Sequence, residues 1–83
     1  MPYEKVKQAG KISIGTKQAT KAIELGIAAE VFVAGDADPR ITGKVANLCK
    51  KLGITVTYVD SMKQLGKSCG IDVGAAIVAI VKD

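Results

Sequence analysis

The residues best suited to chemistry in this chain run from Gly15 to Lys21, with the sequence Gly-Thr-Lys-Gln-Ala-Thr-Lys. A glycine that leaves a strand and begins a helix lets the first helical amides approach an anion, and the helix dipole adds partial positive charge there. Lys17 and Lys21 are four residues apart and add two full charges on one face. The segment predicts a phosphate-binding corner, although on this motif alone an ordinary helix start with solvated lysines explains it equally well.

The stretch from Gly10 to Lys17 also comes close to the phosphate loop G-x-x-x-x-G-K-[ST]. Its last two positions are reversed, so that Thr16 stands where the phosphate-binding lysine belongs. A core strand should precede the first glycine, whereas Ile12 and Ile14 inside the would-be loop have the spacing of a strand. A small nucleotide-binding protein with a degenerate loop is therefore an alternative function only.

A second candidate segment is the loop from Gly70 to Ala76, which contains Ile71, Asp72, Val73 and Gly74. Ile71 and Val73 are branched apolar residues in a connection of a kind that is normally polar. Because both side chains are apolar, we expect both to pack inward. If they are exposed instead, they form a small apolar surface suited to a partner. A protein-interaction module is the other alternative.

The side chains that the chain lacks exclude several enzyme classes. There is no His, and the two cysteines lie far apart with no second type of metal ligand nearby, so a zinc site, a Cys-His pair and a Ser-His-Asp triad are excluded. Cys49 and Cys69 fall on apolar faces of predicted helices and are expected to be reduced core thiols. Asp36 and Asp38 are explained by a turn followed by a helix N-cap rather than by a metal pair. We predict no enzymatic activity and no cofactor.

Length, hydropathy and charge limit the class to which this protein can belong. The 83 residues make one small domain, and 48% apolar residues with a mean hydropathy of +0.24 exclude a disordered tail. No apolar run reaches the roughly 20 residues of a membrane span, and no secretory signal is present, so we expect a cytoplasmic protein. Five lysines and one glutamate precede residue 22, whereas acidic and basic residues balance afterwards. This distribution favours a polyanionic partner, and nothing requires more than a monomer.

Helical and strand patterns alternate along the chain. Helices are predicted over residues 3–9, 16–25, 39–52 and 62–69, and strands over residues 12–14, 30–34, 55–59 and 75–81. The inner face of the third helix is predicted to comprise Ile41, Val45, Leu48, Cys49 and Leu52. The pattern predicts an α/β fold, a three-layer α/β/α sandwich with a mixed four-stranded sheet and a parallel pair between strands 30–34 and 55–59.

Four segments together resemble the L7Ae family of ribosomal and kink-turn RNA-binding proteins, and its small bacterial members above all. The segments are 15–21, Asp36-Ala37-Asp38-Pro39, 59–66 and 70–76, and their order and spacing match over essentially the whole chain. The resemblance implies a non-enzymatic α/β/α domain that recognises and stabilises kink-turns. In these RNA elements a bulge between two stems bends the helix and is flanked by sheared G·A pairs.

The resemblance also implies roles for particular residues. The family's Gly-Thr-Asn-Glu-x-x-Lys motif, which enters the widened major groove, corresponds to Gly15, Thr16, Lys17, Gln18 and Lys21. Its apolar loop, which covers the flipped-out bulge nucleotide, corresponds to Ile71, Asp72, Val73 and Gly74. Because a kink opens the narrow A-form groove, Lys17 is expected to donate to guanine O6 and N7, Gln18 to donate and accept, and Lys21 to hold phosphate.

Two positions depart from the family motif. Lys17 replaces its asparagine and Gln18 replaces its glutamate, which adds a positive charge and removes an anionic acceptor. We expect this exchange to weaken base discrimination more than affinity. The implied partner is a kink-turn RNA, ribosomal or regulatory.

Overall fold

A computed structural model describes residues 2–82, which form four helices and four strands. In chain order they are α1 (Pro2–Gln8), β1 (Ile12–Ile14), α2 (Thr16–Glu24), β2 (Ala28–Ala34), α3 (Pro39–Leu52), β3 (Thr55–Val59), α4 (Met62–Ser68) and β4 (Ile77–Val81). The alternation that the sequence predicts is confirmed.

The four strands form one mixed sheet in the order β1-β4-β2-β3. Strand β4 is antiparallel to both β1 and β2, and β2 is parallel to β3. The predicted parallel pair is therefore present, with α3 providing the crossover that such a pair needs.

The strand register places one end of each of the four strands at the same edge of the sheet. Ile14 pairs with Val78, and Ala34 pairs with Val59. The carboxyl ends of β1, β2 and β3 therefore meet the amino end of β4, at Ile77. We call this edge the front edge. The loops that follow three strands and the loop that precedes β4 all emerge there.

The core lies on both faces of the sheet. Helices α2 and α3 cover one face, where the buried residues include Ala22, Ile23, Val45, Cys49, Val31, Val33, Ile77 and Ala79. Helices α1 and α4 cover the other, where they include Val6, Leu65, Phe32 and Val78. Alternate residues of β4 serve the two faces, as the period of a strand requires. The three-layer α/β/α architecture is confirmed.

Helix α3 buries a narrower stripe than the sequence predicts. Val45 and Cys49 are buried as expected, but Ile41 is 40% exposed and Leu52 is 52% exposed, so the prediction of both as inward residues is wrong. Thr42 is buried instead. Since a helix turns by about 100° per residue, the spacing of Thr42, Val45 and Cys49 defines the face on the sheet, and Ile41 lies at its margin.

Two strands differ by two residues from their predicted bounds. Strand β2 begins at Ala28 rather than Glu30, because Ala28 pairs with Val81 of β4. This tertiary pairing overrides the low strand propensity of alanine. Strand β4 begins at Ile77 rather than Ala75, because the Ala75 amide donates outside the sheet.

Both cysteines are free thiols. Cys49 is fully buried, and Cys69 is half-buried against the cluster beneath α1 and α4. Burial raises the pKa of each thiol above its ordinary value, so both stay protonated at neutral pH. The predicted core thiols are confirmed. Among residues 2–82, no helix has the length and apolar character needed to cross a membrane.

Candidate nucleic-acid interface

The start of α2 is fixed to the sheet by Gly15. This N-cap residue has φ 95° and ψ 159°, a region essentially restricted to glycine. Its amide donates to the Ile77 carbonyl at 2.8 Å, and its carbonyl accepts from the Ala19 amide at 2.9 Å. The amides of residues 16–18 precede that first helical bond and have no acceptor within the helix. They are the N–H groups expected of an anion-binding corner.

The exposed side of α2 carries the polar residues predicted to contact RNA. Lys17, Gln18 and Lys21 are exposed and line one depression together with Thr20 and Glu24. Among the residues that the structure describes, neither lysine forms an ion pair. Both ammonium groups are therefore available to a polyanion, with Glu24 as the one acidic lining residue.

The loop before β4 presents a single apolar side chain to solvent. Ile71 is half-buried against the α1/α4 cluster, and its amide donates to the Gly66 carbonyl at 3.1 Å. Asp72, Val73 and Gly74 are exposed, Val73 by 70%. The expectation that Ile71 and Val73 both pack inward is wrong for Val73.

The reason for the exposure of Val73 is the close approach of the loop backbone to α4. A methyl group added at Gly66 would overlap the Val73 carbonyl oxygen, and one added at Gly74 would come within 3.1 Å of Met62 Cβ. The Ala75 amide donates to the Met62 carbonyl at 3.0 Å and closes the loop onto the helix. The loop backbone therefore fills the space next to α4 and turns the Val73 side chain outward.

Gly66 and Met62 position the loop, and the sequence analysis assigned this role to neither residue. Gly66 is an isolated glycine inside a helical pattern, which is the signal that indicates a close packing contact. The identity of its contact, seven residues along the chain, follows only from the tertiary structure.

Both aspartates accept hydrogen bonds from backbone amides at helix starts. Asp38 is the N-cap of α3 and accepts from the Arg40 amide at 2.9 Å, and its carboxylate also bonds the Arg40 guanidinium, with 3.0 Å between Oδ2 and Nη2. These contacts, the side-chain bond first, hold the pKa of Asp38 below its usual value. Asp36 Oδ1 accepts from the Met62 amide at 2.8 Å and ties the turn after β2 to α4. In the part of the chain that the structure describes, no cluster of His, Cys, Asp or Glu could hold a metal ion.

The degenerate phosphate loop does not form. Residues 12–14, inside the stretch from Gly10 to Lys17, are strand β1, paired with β4 through Ser13 and Ala79 among others. The stretch is therefore extended where a phosphate loop must wrap around its ligand.

The register brings the predicted segments to the front edge. The Gly15 amide meets β4 at its first residue, directly after the loop 71–76, and the Ala34 amide donates to the Ala76 carbonyl at 2.9 Å. The Gly35 amide donates to the Val59 carbonyl at 2.8 Å and joins the turns after β2 and β3. Within residues 2–82, no hydrogen bond connects the side chains of the α2 corner with those of the loop. The two parts are neighbours through the backbone of β4.

A domain of this architecture, with a glycine-initiated helix and a glycine-rich loop at one sheet edge, matches a known family. The model of the Ribosomal protein L7Ae/L30e/S12e/Gadd45 family matches residues 3–83. The chain belongs to this family, as the four segments in the sequence predict.

Individual relatives are similar over almost the whole chain. An RNA-binding protein of Geobacillus kaustophilus is 58% identical over 82 residues, which are 99% of this chain and 100% of the relative. The RNA-binding protein YbxF of Geobacillus stearothermophilus is 57% identical with the same coverage. Among solved structures, the 15.5kD RNA binding protein of Giardia lamblia superimposes with a TM-score of 0.89 at 30% identity, covering 99% of this chain and 72% of that one.

Proposed function

We infer that this protein is a non-enzymatic RNA-binding protein of the L7Ae family, and we propose that the RNA feature it recognises is the kink-turn. Support for RNA binding comes from family membership and from the relatives that are named RNA-binding proteins. The chemistry agrees, because phosphate and guanine edges suit the open amides of residues 16–18 and the two lysines, which have no ion-pair partner in the described part of the chain.

The observation that carries the kink-turn proposal is the bond between the Gly15 amide and the Ile77 carbonyl. It sets a cationic helix start beside a loop whose Val73 side chain is exposed. Regular A-form RNA has a major groove too narrow for side chains to read and no unstacked base to cover, whereas a kink opens that groove and exposes such a base. Lys17 and Gln18 would read base edges, Lys21 would hold phosphate, and Val73 would cover the bulged base.

The test is a titration of the protein with a kink-turn duplex and with a straight duplex of the same composition, each at several salt concentrations. We expect tighter binding of the kink-turn at every salt concentration, since base and shape contacts add to the electrostatic attraction that both duplexes share. Equal affinities would remove the kink-turn proposal and leave unspecific RNA binding.

A further inference from the structure

A cleft between α2 and α3 lies next to the proposed RNA surface and shares only Thr16 with the residues assigned to it above. Its volume is about 600 Å³, within the range of cavities that bind small organic groups, and it is lined by Thr16, Thr20, Arg40, Ile41, Lys44 and Leu48 among others. Thr20 also lines the depression that contains Lys17 and Lys21. The cleft is therefore continuous with the polar side of α2.

The guanidinium group of Arg40 lies at the rim of this cleft and is held there by Asp38. Its Nε and Nη2 atoms donate to the two carboxylate oxygens of Asp38 at 3.2 and 3.0 Å, while the Arg40 side chain is 89% exposed. One edge of the guanidinium is thus bonded, and its two faces are free. A fixed guanidinium plane is a surface on which unpaired RNA bases stack.

The charges around the cleft favour a polyanion. Lys44 is exposed and forms no ion pair within the described part of the chain. The same holds for Lys17 and Lys21, which line the adjoining depression that shares Thr20 with the cleft. The nearby carboxylates are Asp38, which is paired with Arg40, and Glu24, which lines the depression next to Thr20 together with Lys17 and Lys21. The apolar interior next to a cationic rim matches a nucleotide, with its flat base and its charged phosphate.

We propose that the α2/α3 cleft binds one unpaired nucleotide of the same RNA, outside the kink-turn itself. The base lies against Ile41 and the Arg40 plane, and Lys44 contacts the adjoining phosphate. The hydroxyls of Thr16 and Thr20 can donate to or accept from the base edge or the ribose 2′-OH. This inference rests on the proposed function, because it needs the RNA to be anchored at the α2 corner.

The test compares two RNAs that share one kink-turn, the first with blunt stems and the second with short unpaired oligouridine tails on its strand ends. We expect the tailed RNA to bind about tenfold more tightly, as one stacked base contributes. Arg40→Ala should remove this gain in affinity. Arg40→Lys should remove most of it, because lysine has no planar group on which the base can stack, and should keep a small part, because the positive charge remains. Lys51→Ala, at the exposed end of the same helix, is the matched control and should leave the gain unchanged.

A second measurement locates the nucleotide directly. The photoreactive residue p-benzoylphenylalanine in place of Ile41 should crosslink to the tail, whereas the same residue in place of Tyr58, which is 61% exposed on the edge strand β3, should not.

Three outcomes overturn the inference, each in a recognisable way. If the blunt and tailed kink-turns bind with equal affinity and both bind more tightly than a straight duplex, the cleft proposal is rejected and the proposed function is retained. Equal loss of both affinities in Arg40→Ala assigns Arg40 to the kink-turn site instead. Equal affinity for kinked and straight duplexes rejects the proposed function, and the cleft proposal with it.

Discussion

Lys17 and Lys5 show why position, rather than the total of positive charges, decides what the basic amino-terminal quarter can do. Lys5 Nζ lies 3.2 Å from Glu30 Oε1, and the other carboxylate oxygen of Glu30 accepts from the Thr57 hydroxyl at 2.9 Å. Lys5 is thus engaged on the α1 side of the sheet. Lys17 and Lys21 have no such partner among residues 2–82. The charge excess visible in the sequence therefore overstates the cations available at the site.

We predict different losses of RNA affinity from two alanine substitutions that each remove one positive charge. Lys17→Ala should cost about 1 to 3 kcal/mol of binding to a kink-turn and little to a straight duplex, because it removes a guanine contact. Lys21→Ala should weaken both RNAs alike and lower the salt slope by about 1, because it removes a phosphate contact. Titrations at several salt concentrations measure both effects.

Lys5→Ala is the matched control for these two variants, since it changes net charge equally at a residue already paired with Glu30. Its affinity and salt slope should remain close to those of the unaltered protein. A loss as large as that of Lys17→Ala would show that general charge, and not the α2 corner, governs binding.

At the scale of elements, helix starts and ends could be predicted because their signals are local. Asp38 before Pro39 begins α3, and Gly53, in the left-handed region, ends it. The contacts that hold the site could not be predicted, because they join residues distant in sequence. The Asp36 carboxylate accepts from the Met62 amide at the start of α4, and the Gly15 amide reaches β4 only through the sheet register. The corner was therefore predictable, and its proximity to the loop was not.

Gly15→Ala should damage α2 and the site together. Nothing lies within 4 Å of an added Cβ, so the cost is backbone strain alone, about 1 to 3 kcal/mol of unfolding free energy. If the helix start shifts to relieve this strain, the amides of residues 16–18 move and RNA affinity falls as well. Chemical denaturation and RNA titration measure the two losses.

Gly43→Ala is the matched control for this variant. Gly43 lies inside α3 with open space at its Cβ position and no positive φ, so alanine should raise the unfolding free energy by roughly 0.5 to 1 kcal/mol. RNA affinity should not change. Equal stability of the two variants would contradict the assigned role of Gly15.

The loop offers a second test at this scale. Gly66→Ala places a methyl group against the Val73 carbonyl, so it should displace the loop and lower the unfolding free energy by about 1 to 3 kcal/mol.

Val73→Ser leaves the backbone in place and should lower kink-turn affinity by about 1 kcal/mol, as expected from the loss of apolar cover, with unchanged stability. Full affinity in Val73→Ser would exclude the loop from the interface.

Across the whole molecule, the sheet separates two edges with different surfaces. The rear edge, opposite the front edge, is closed by bonds from the Lys82 amide to the Ile27 carbonyl at 2.7 Å and from the Val81 amide to the Lys11 carbonyl at 3.0 Å. Leu25 and Ile27 are 63% and 41% exposed near it. The front edge has open amides and two lysines, Lys17 and Lys21, that form no ion pair with any residue from 2 to 82, so the two edges suit different kinds of partner.

This separation predicts where amide signals change when kink-turn RNA is added to labelled protein. In nuclear magnetic resonance titrations, the amides of residues 15–21 and 71–76 should shift most, because the open N–H groups of 16–18 and the exposed loop meet the RNA. The amides of residues 26–27 and 53–54, at the rear edge, should keep their positions. Shifts centred on the rear edge would assign the partner to the exposed apolar residues there and would contradict the front-edge interface. Shifts confined to residues 15–21 would retain the cationic corner and remove the loop, since a bulged base that Val73 covers must perturb the amides of 72–74.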